Sequence, residues 1–268
     1  HNMVDNVIFS PRANLRFNPT QNINLRLSYS SGFRAPQAFD EDMHIENVGG
    51  TVAMIERAKD LKEEKSQSFS ASADMYHRFG AFQTNLLIEG FYTRLTDVFV
   101  LGKPYDRGDG ILVKTRSNGP GAKVMGLTLE GKVAYLSILQ IQAGLTLQRS
   151  RYDEPHKWHD DAPAEKKIFR TPDTYGYFTA TCTPIKPLSI ALSGTYTGRM
   201  LVQRMDITAE NAELGKMPER KAEAIRTPRF FDLGVKLAYD FKLYKTVDLP
   251  LNGGVQNIFK SYQKDFDR

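Results

Sequence analysis

The chain has 268 residues, 41% of them hydrophobic, with 36 basic and 31 acidic side chains and a net charge of +5. The charges are too evenly interspersed to form the basic stripe of a nucleic-acid-binding protein, and the single Cys182 excludes an intrachain disulfide framework. No run reaches the roughly eighteen consecutive apolar residues of a membrane-spanning helix, which leaves open a membrane β-barrel, whose strands alternate and average out as polar.

The chain starts "HNMVDNVIFSPRANLRF", with no signal peptide and already in a strand-like pattern. This predicts a piece of a longer precursor, so missing targeting signals carry no weight. In "NINLRLSYSSGFRAP" (22–36), Ile23, Leu25, Leu27 and Tyr29 alternate with Asn24, Arg26, Ser28 and Ser30. Period two puts the two sets on opposite faces of a strand between an apolar and a wet environment. "TVAMIERAKDLKEEKS" (51–66) has spacing that predicts a short helix inside a loop, and 66–79 and 82–100 read as further, less regular strands.

From there the alternation is clean. One face carries Leu127, Leu129, Val133 and Tyr135, then Leu139, Ile141, Leu145 and Leu147, then Leu188, Ile190, Leu192 and Tyr196, then Phe231, Leu233, Val235, Leu237, Tyr239 and Phe241. The opposite face carries Thr128, Glu130, Lys132, Gln140, Gln142, Ser193, Asp232 and Lys236. About ten strands are expected, with little helix. Short turns (18–21, 78–81, 136–137, 183–187, 242–246) alternate without exception with long connections (31–64, 101–121, 152–171, 203–228). A soluble sandwich gives no reason for loop length to keep step with strand parity, whereas an outer-membrane barrel has short periplasmic turns and long extracellular loops. Aromatics agree: Tyr135, Tyr239 and Phe241 lie beside short turns, and Tyr29, Tyr196 and Phe231 lie towards long loops. Eight steps from Leu188 to Tyr196 climb about 20 Å at a tilt near 40°, close to the apolar band between aromatic girdles.

Three strings then bear on the family. "SYSSGFRAPQAFDED" (28–42), "LKEEKSQSFSASAD" (61–74) and "NGGVQNIFKSYQKDF" (252–266) resemble segments of TonB-dependent outer-membrane receptors, most closely the Bacteroides-like group. Glu63 stands where that family commonly has proline. The resemblance implies the C-terminal part of an all-β, antiparallel transmembrane barrel: residues 1–268 as about ten of roughly 22 strands, without plug domain, N-terminal strands or final strand. It also implies residence in the bacterial outer membrane. Its partners would be outer-membrane lipid, the TonB complex acting through the absent plug, and an extracellular small-molecule or metal-chelate ligand, with no nucleic acid. The activity implied is active import of a scarce, bulky solute of the iron-siderophore, haem or cobalamin class. A passive porin-like barrel and a glycan-importing receptor are the alternatives. Gly32, Phe33, Arg34, Ala35, Pro36, Asn257, Phe259 and Tyr262 are then structural motif residues, with Gly32 bending the strand, Pro36 stopping it and Arg34 pairing with lumen or plug carboxylates.

No catalytic set stands out, with neither a nucleophile elbow nor a phosphate loop, and neither an enzyme nor a cofactor is expected. In "DEPHKWHDD" (153–161), His156 and His159 with nearby acids suit a transition metal or haem iron; a solvated loop with histidines placed by chance is the preferred reading. "FDEDMH" (39–44) offers Asp40, Glu41, Asp42, Met43 and His44, read in the same two ways. Tyr152, His156, Trp158, His159 and Arg204 are the candidate ligand contacts, with Tyr105, Arg107, Arg116 and Arg199 as further loop residues suited to an aromatic or anionic ligand. The 203–228 connection, rich in Arg and Lys, suits an anionic ligand as well.

Overall fold

A computed structural model describes residues 8–36, 53–102, 105–108, 112–158, 162–207, 220–244 and 247–262. In chain order the strands are β1 (Arg12–Thr20), β2 (Ile23–Arg34), β3 (Ala53–Arg57), β4 (Glu64–Phe79), β5 (Phe82–Thr96) and β6 (Phe99–Leu101). Then come β7 (Tyr105–Asp106), β8 (Leu112–Asn118), β9 (Ala122–Tyr135), β10 (Leu139–His156), β11 (Glu165–Lys167) and β12 (Thr174–Ile185). The last are β13 (Leu188–Thr197), β14 (Leu201–Ile207), β15 (Arg220–Arg226), β16 (Phe230–Tyr244) and β17 (Val247–Val255).

One sheet dominates. Its path is β1-β2-β4-β5-β9-β10-β12-β13-β16-β17, with β11 attached to β10, and the neighbours along it pair antiparallel. Register carries the alternation seen in each strand across the whole sheet. Leu15 pairs with Leu27, Leu27 with Ala71, and Ala71 with Gly90. Gly90 pairs with Leu127 and Leu127 with Leu147. Farther on, Ala180, Leu192 and Val235 form another such row. Paired residues point to the same side, so the apolar sets of neighbouring strands fuse into one face.

No described residue packs over that face. Leu15 is 63% exposed, Leu27 55%, Leu147 46% and Leu237 52%. Aromatics border it on both sides. Tyr29, Phe69 and Tyr92 share a row near the long loops, as do Tyr196 and Phe231. Phe79, Phe82 and Tyr135 share a row beside the short turns, with ring centroids 5.4 and 4.7 Å apart, and Tyr239 and Phe241 lie 4.5 Å apart at the same end. Exposed apolar surface on this scale marks an interaction with an apolar environment.

The other face is polar and internally bonded. Glu130 accepts hydrogen bonds from Tyr177 (2.7 Å) and Gln142 (3.1 Å) and pairs with Lys132 (3.1 Å), while the Thr128 and Thr146 hydroxyls meet at 3.0 Å. Gly144 makes room for this cluster: a Cβ there would lie 2.6 Å from the Tyr177 ring. Tight packing is found elsewhere, among the long connections, where Val113, Arg116, Ala122, Leu201, Val202, Ala222 and Thr227 are buried.

The structure corrects three expectations. Within 51–66 there is no helix among the described residues; Ala53–Arg57 is a strand, paired parallel with β8, because an available sheet edge overrides weak helical spacing. Gly32 does not bend its strand, since β2 runs unbroken to Arg34; its lack of a side chain serves close packing, a Cβ there lying 2.9 Å from Ser66 Oγ. The long connections are not plain loops. Those between β2 and β4 and between β5 and β9 fold together into a small sheet of β3, β6, β7 and β8, and that between β13 and β16 folds into the β14–β15 hairpin.

Candidate functional surface at the long-loop end

The inner, polar face continues past the aromatic row into the long connections, and the sequence-predicted residues gather there unevenly. Tyr152 and His156 lie on β10, with ring centroids 5.5 Å apart. Burial pushes the His156 pKa down, and burial followed by the nearby Glu64 carboxylate pushes Tyr152 up. Trp158 packs edge-on against Phe169, centroids 6.3 Å apart, across the same connection. Arg204 sits apart on β14, opposite Glu223 of β15. His159 and residues 39–44 lie outside the described residues, as do 208–219 of the Arg/Lys-rich connection. Among the described residues no group of three or more His, Cys, Asp or Glu side chains could hold a metal ion.

Two connections are tied together by backbone. Arg170 N–H donates to the Leu201 carbonyl (2.8 Å), joining the β10–β12 connection to β14, and Met200 and Thr227 close the base of the hairpin with reciprocal 2.9 Å bonds.

Sequence reasoning missed an aromatic–cation stack. Phe99 receives the Arg34 guanidinium at 5.6 Å and that of the buried Arg116 at 6.0 Å from its ring centroid, and its N–H donates to Glu64 (3.0 Å). Arg34 of the Gly-Phe-Arg-Ala-Pro string therefore anchors the small loop sheet, and β2 ends just before Ala35 and Pro36, as a proline stop requires. Arg116 is packing rather than open ligand surface. Arg107 pairs with Glu56 (3.2 Å), and Tyr105 is exposed on β7. Asn118 joins three strands' ends: it accepts from Lys62 N–H (2.8 Å) and donates to the carbonyls of Lys62 (3.0 Å) and Asp97 (2.8 Å). The signal for it was a lone Asn before Gly-Pro, legible only once its partners are known.

At the far edge, Asn257 takes a left-handed backbone (φ 51°) and its amide closes a turn, accepting from Ser261 N–H (2.7 Å) and donating to the Ser261 carbonyl (3.0 Å). Asparagine tolerates that region and bonds its own backbone. Phe259 packs on Phe231 of the aromatic row (6.0 Å), and Tyr262 is exposed.

An antiparallel sheet with one continuous apolar face, aromatic rows at both borders, a polar inner face, and turns short at one end and long at the other is the wall of a transmembrane β-barrel. Residues 2–258 match the model of the TonB dependent receptor-like β-barrel, and the chain belongs to that family. Solved structures with the same fold include the FrpB iron transporter from Neisseria meningitidis (F3-3 variant), with TM-score 0.60 and 16% identity over 93% of this chain and 34% of that one. The ferric-catecholate import receptor Fiu from K12 E. coli has TM-score 0.57 and 16% identity over 92% and 30%. The ferric enterobactin receptor mutant R480A from Pseudomonas aeruginosa, in complex with enterobactin, has TM-score 0.61 and 17% identity over 93% and 35%. The chain thus spans about a third of the length of the structures it resembles. No curated protein matches its sequence.

Proposed function

We propose that this chain forms part of the wall of a bacterial outer-membrane receptor that imports a scarce, bulky solute by TonB-dependent active transport, with iron-siderophore complexes the first class to test, ahead of haem and cobalamin. The observation carrying the reading is the uncovered apolar face between two aromatic rows, joined to the family match. Similar structures described as a ferric-catecholate receptor, ferric enterobactin receptors and an iron transporter support the solute class. In this reading the complete barrel has about 22 strands around a plug. The long connections meet the solute, because only that end is open to the medium, and energy passed through TonB rearranges the plug to let it through. Tyr152, His156, Trp158 and His159 supply stacking and imidazole donors on one connection, and Arg204 with its basic neighbours supplies anion recognition on another.

The test is made on the full-length protein in its native host under iron limitation. Deleting residues 157–171, or the β14–β15 hairpin, is expected to reduce uptake of the cognate ferric chelate while leaving outer-membrane insertion intact. Unchanged growth and uptake after both deletions would remove these connections from the binding surface.

A further inference from the structure

The small loop sheet closes on a chemically labile pair. The sequence holds two Asn-Gly steps, Asn118–Gly119 and Asn252–Gly253. At such a step no side chain on the glycine hinders its nitrogen from reaching the asparagine carboxamide, so ring closure to a succinimide is easiest there. Both members of the first pair are needed where they stand. Asn118 Oδ1 accepts from Lys62 N–H (2.8 Å), and its Nδ2 donates to the carbonyls of Lys62 (3.0 Å) and Asp97 (2.8 Å), a combination of acceptor and two donors that a carboxamide supplies. Gly119 lies so close to β6 that a Cβ there would be 2.5 Å from Val100 Cγ1.

The closed sheet keeps the two reacting groups apart. Gly119 N–H, which carries the attacking nitrogen, donates to the Val98 carbonyl (2.7 Å), and the carboxamide it would attack is held by Lys62 and Asp97. Lys62 lies between β3 and β4, and Asp97 and Val98 lie between β5 and β6. The bonds that protect the pair are therefore the same bonds that join the β2–β4 connection to the β5–β9 connection. Opening the joint frees nitrogen and carboxamide together.

We propose that Asn118–Gly119 is a site of spontaneous deamidation, gated by opening of the loop sheet, and that the product does not close again. The Gly119 nitrogen attacks Asn118 Cγ. A new C–N bond forms, the Cγ–Nδ2 bond breaks, and Nδ2 leaves as ammonia with the Gly119 amide proton. Water then opens the ring on one side or the other, giving aspartate or isoaspartate. Aspartate sets a carboxylate oxygen against the Lys62 and Asp97 carbonyls, where two donated bonds had been. Isoaspartate lengthens the main chain by a methylene and throws the β6–β8 pairing out of register. The modification thus records that the joint has opened and fixes it open, whichever solute the protein carries.

The test ages the full-length protein, refolded in vesicles, at mildly alkaline pH and follows the tryptic peptide 117–123 by mass spectrometry. A synthetic peptide of the same sequence gives the unprotected rate. Hydrogen exchange at Gly119 reports the same opening, so deamidation and exchange should be slowed relative to the peptide by equal factors, within about threefold. Phe99→Ala removes the ring between the Arg34 and Arg116 guanidiniums. It should speed both processes together, by about 10-fold or more, and leave Asn252–Gly253 in β17 of the main sheet unchanged. Asn118→Asp, the product made directly, should lose about 10-fold or more of its Gly119 protection. Should that variant not refold, aged wild-type protein replaces it: limited trypsin should cut its deamidated molecules at Lys62 before the intact ones. Deamidation of the folded protein as fast as that of the peptide would overturn the proposal. So would exchange and deamidation rates that part company in either protein, or a deamidated product as well protected as the wild type.

Discussion

Tyr177 reaches across its neighbouring strand because residue 144 has no side chain. The ring lies over Gly144 and the hydroxyl meets Glu130 and Gln142, so a glycine and a tyrosine on adjacent strands build one polar cluster. Removing the hydroxyl in Tyr177→Phe should cost about 1 kcal/mol, whereas Gly144→Val forces the ring away and should cost about 1–3 kcal/mol; urea unfolding of the refolded full-length protein in vesicles measures both. His156 provides a pH test in the same spirit. Burial depresses its folded pKa, while the unfolded residue titrates near the usual value of about 6.5. The unfolded or opened state therefore binds more protons in the window between the two, and the contribution of His156 is present above about pH 6.5 and lost as pH falls through the folded pKa. Hydrogen exchange across 152–169, corrected for intrinsic rates, should accelerate below about pH 6 in the wild type and lose that dependence in His156→Gln.

Single strands draw their meaning from parity. Leu192 sits in the row Ala180–Leu192–Val235, midway between the aromatic rows, while Ser193 beside it pairs with Gly234 on the polar side. Leu192→Arg places a cation at mid-bilayer and should cost about 2–4 kcal/mol, and Ser193→Arg faces water and should cost far less. Folding yields of the two full-length variants into vesicles decide the matter: equal yields would mean that the faces are misassigned. The elements of the long connections obey different rules. β3 and β8 run parallel, and from β8 Arg116 reaches Phe99 while Asn118 reaches Lys62 and Asp97, contacts between residues 17 or more apart in sequence that no local pattern announces.

The whole sheet is open. β1 and β17 stand at opposite ends of the path and do not pair with each other. In hydrocarbon each unmade backbone hydrogen bond costs several kcal/mol, so residues 1–268 expressed alone should not give a monodisperse species in lipid or discrete conductance steps in a planar bilayer. A stable channel from this chain by itself would mean that these strands close into a complete small barrel.

Period-two alternation is local, and for that reason it was legible: each strand of the main sheet, its apolar face, both aromatic rows and the parity of short and long connections follow from residues two or a few positions apart. The motif residues were legible as a string, but not in their roles; the stacking of Arg34 on Phe99 and the packing behind Gly32 depend on residues about 65 and 34 positions away. The candidate ligand residues stayed furthest out of reach. Tyr152 and His156 share a strand and meet, yet Trp158 turns to Phe169, Arg204 goes to a separate hairpin, and Arg116 is buried. Strand faces are set by backbone periodicity, which one chain segment determines alone, whereas loop contacts are set by which connections the sheet brings side by side, and only the tertiary structure decides that.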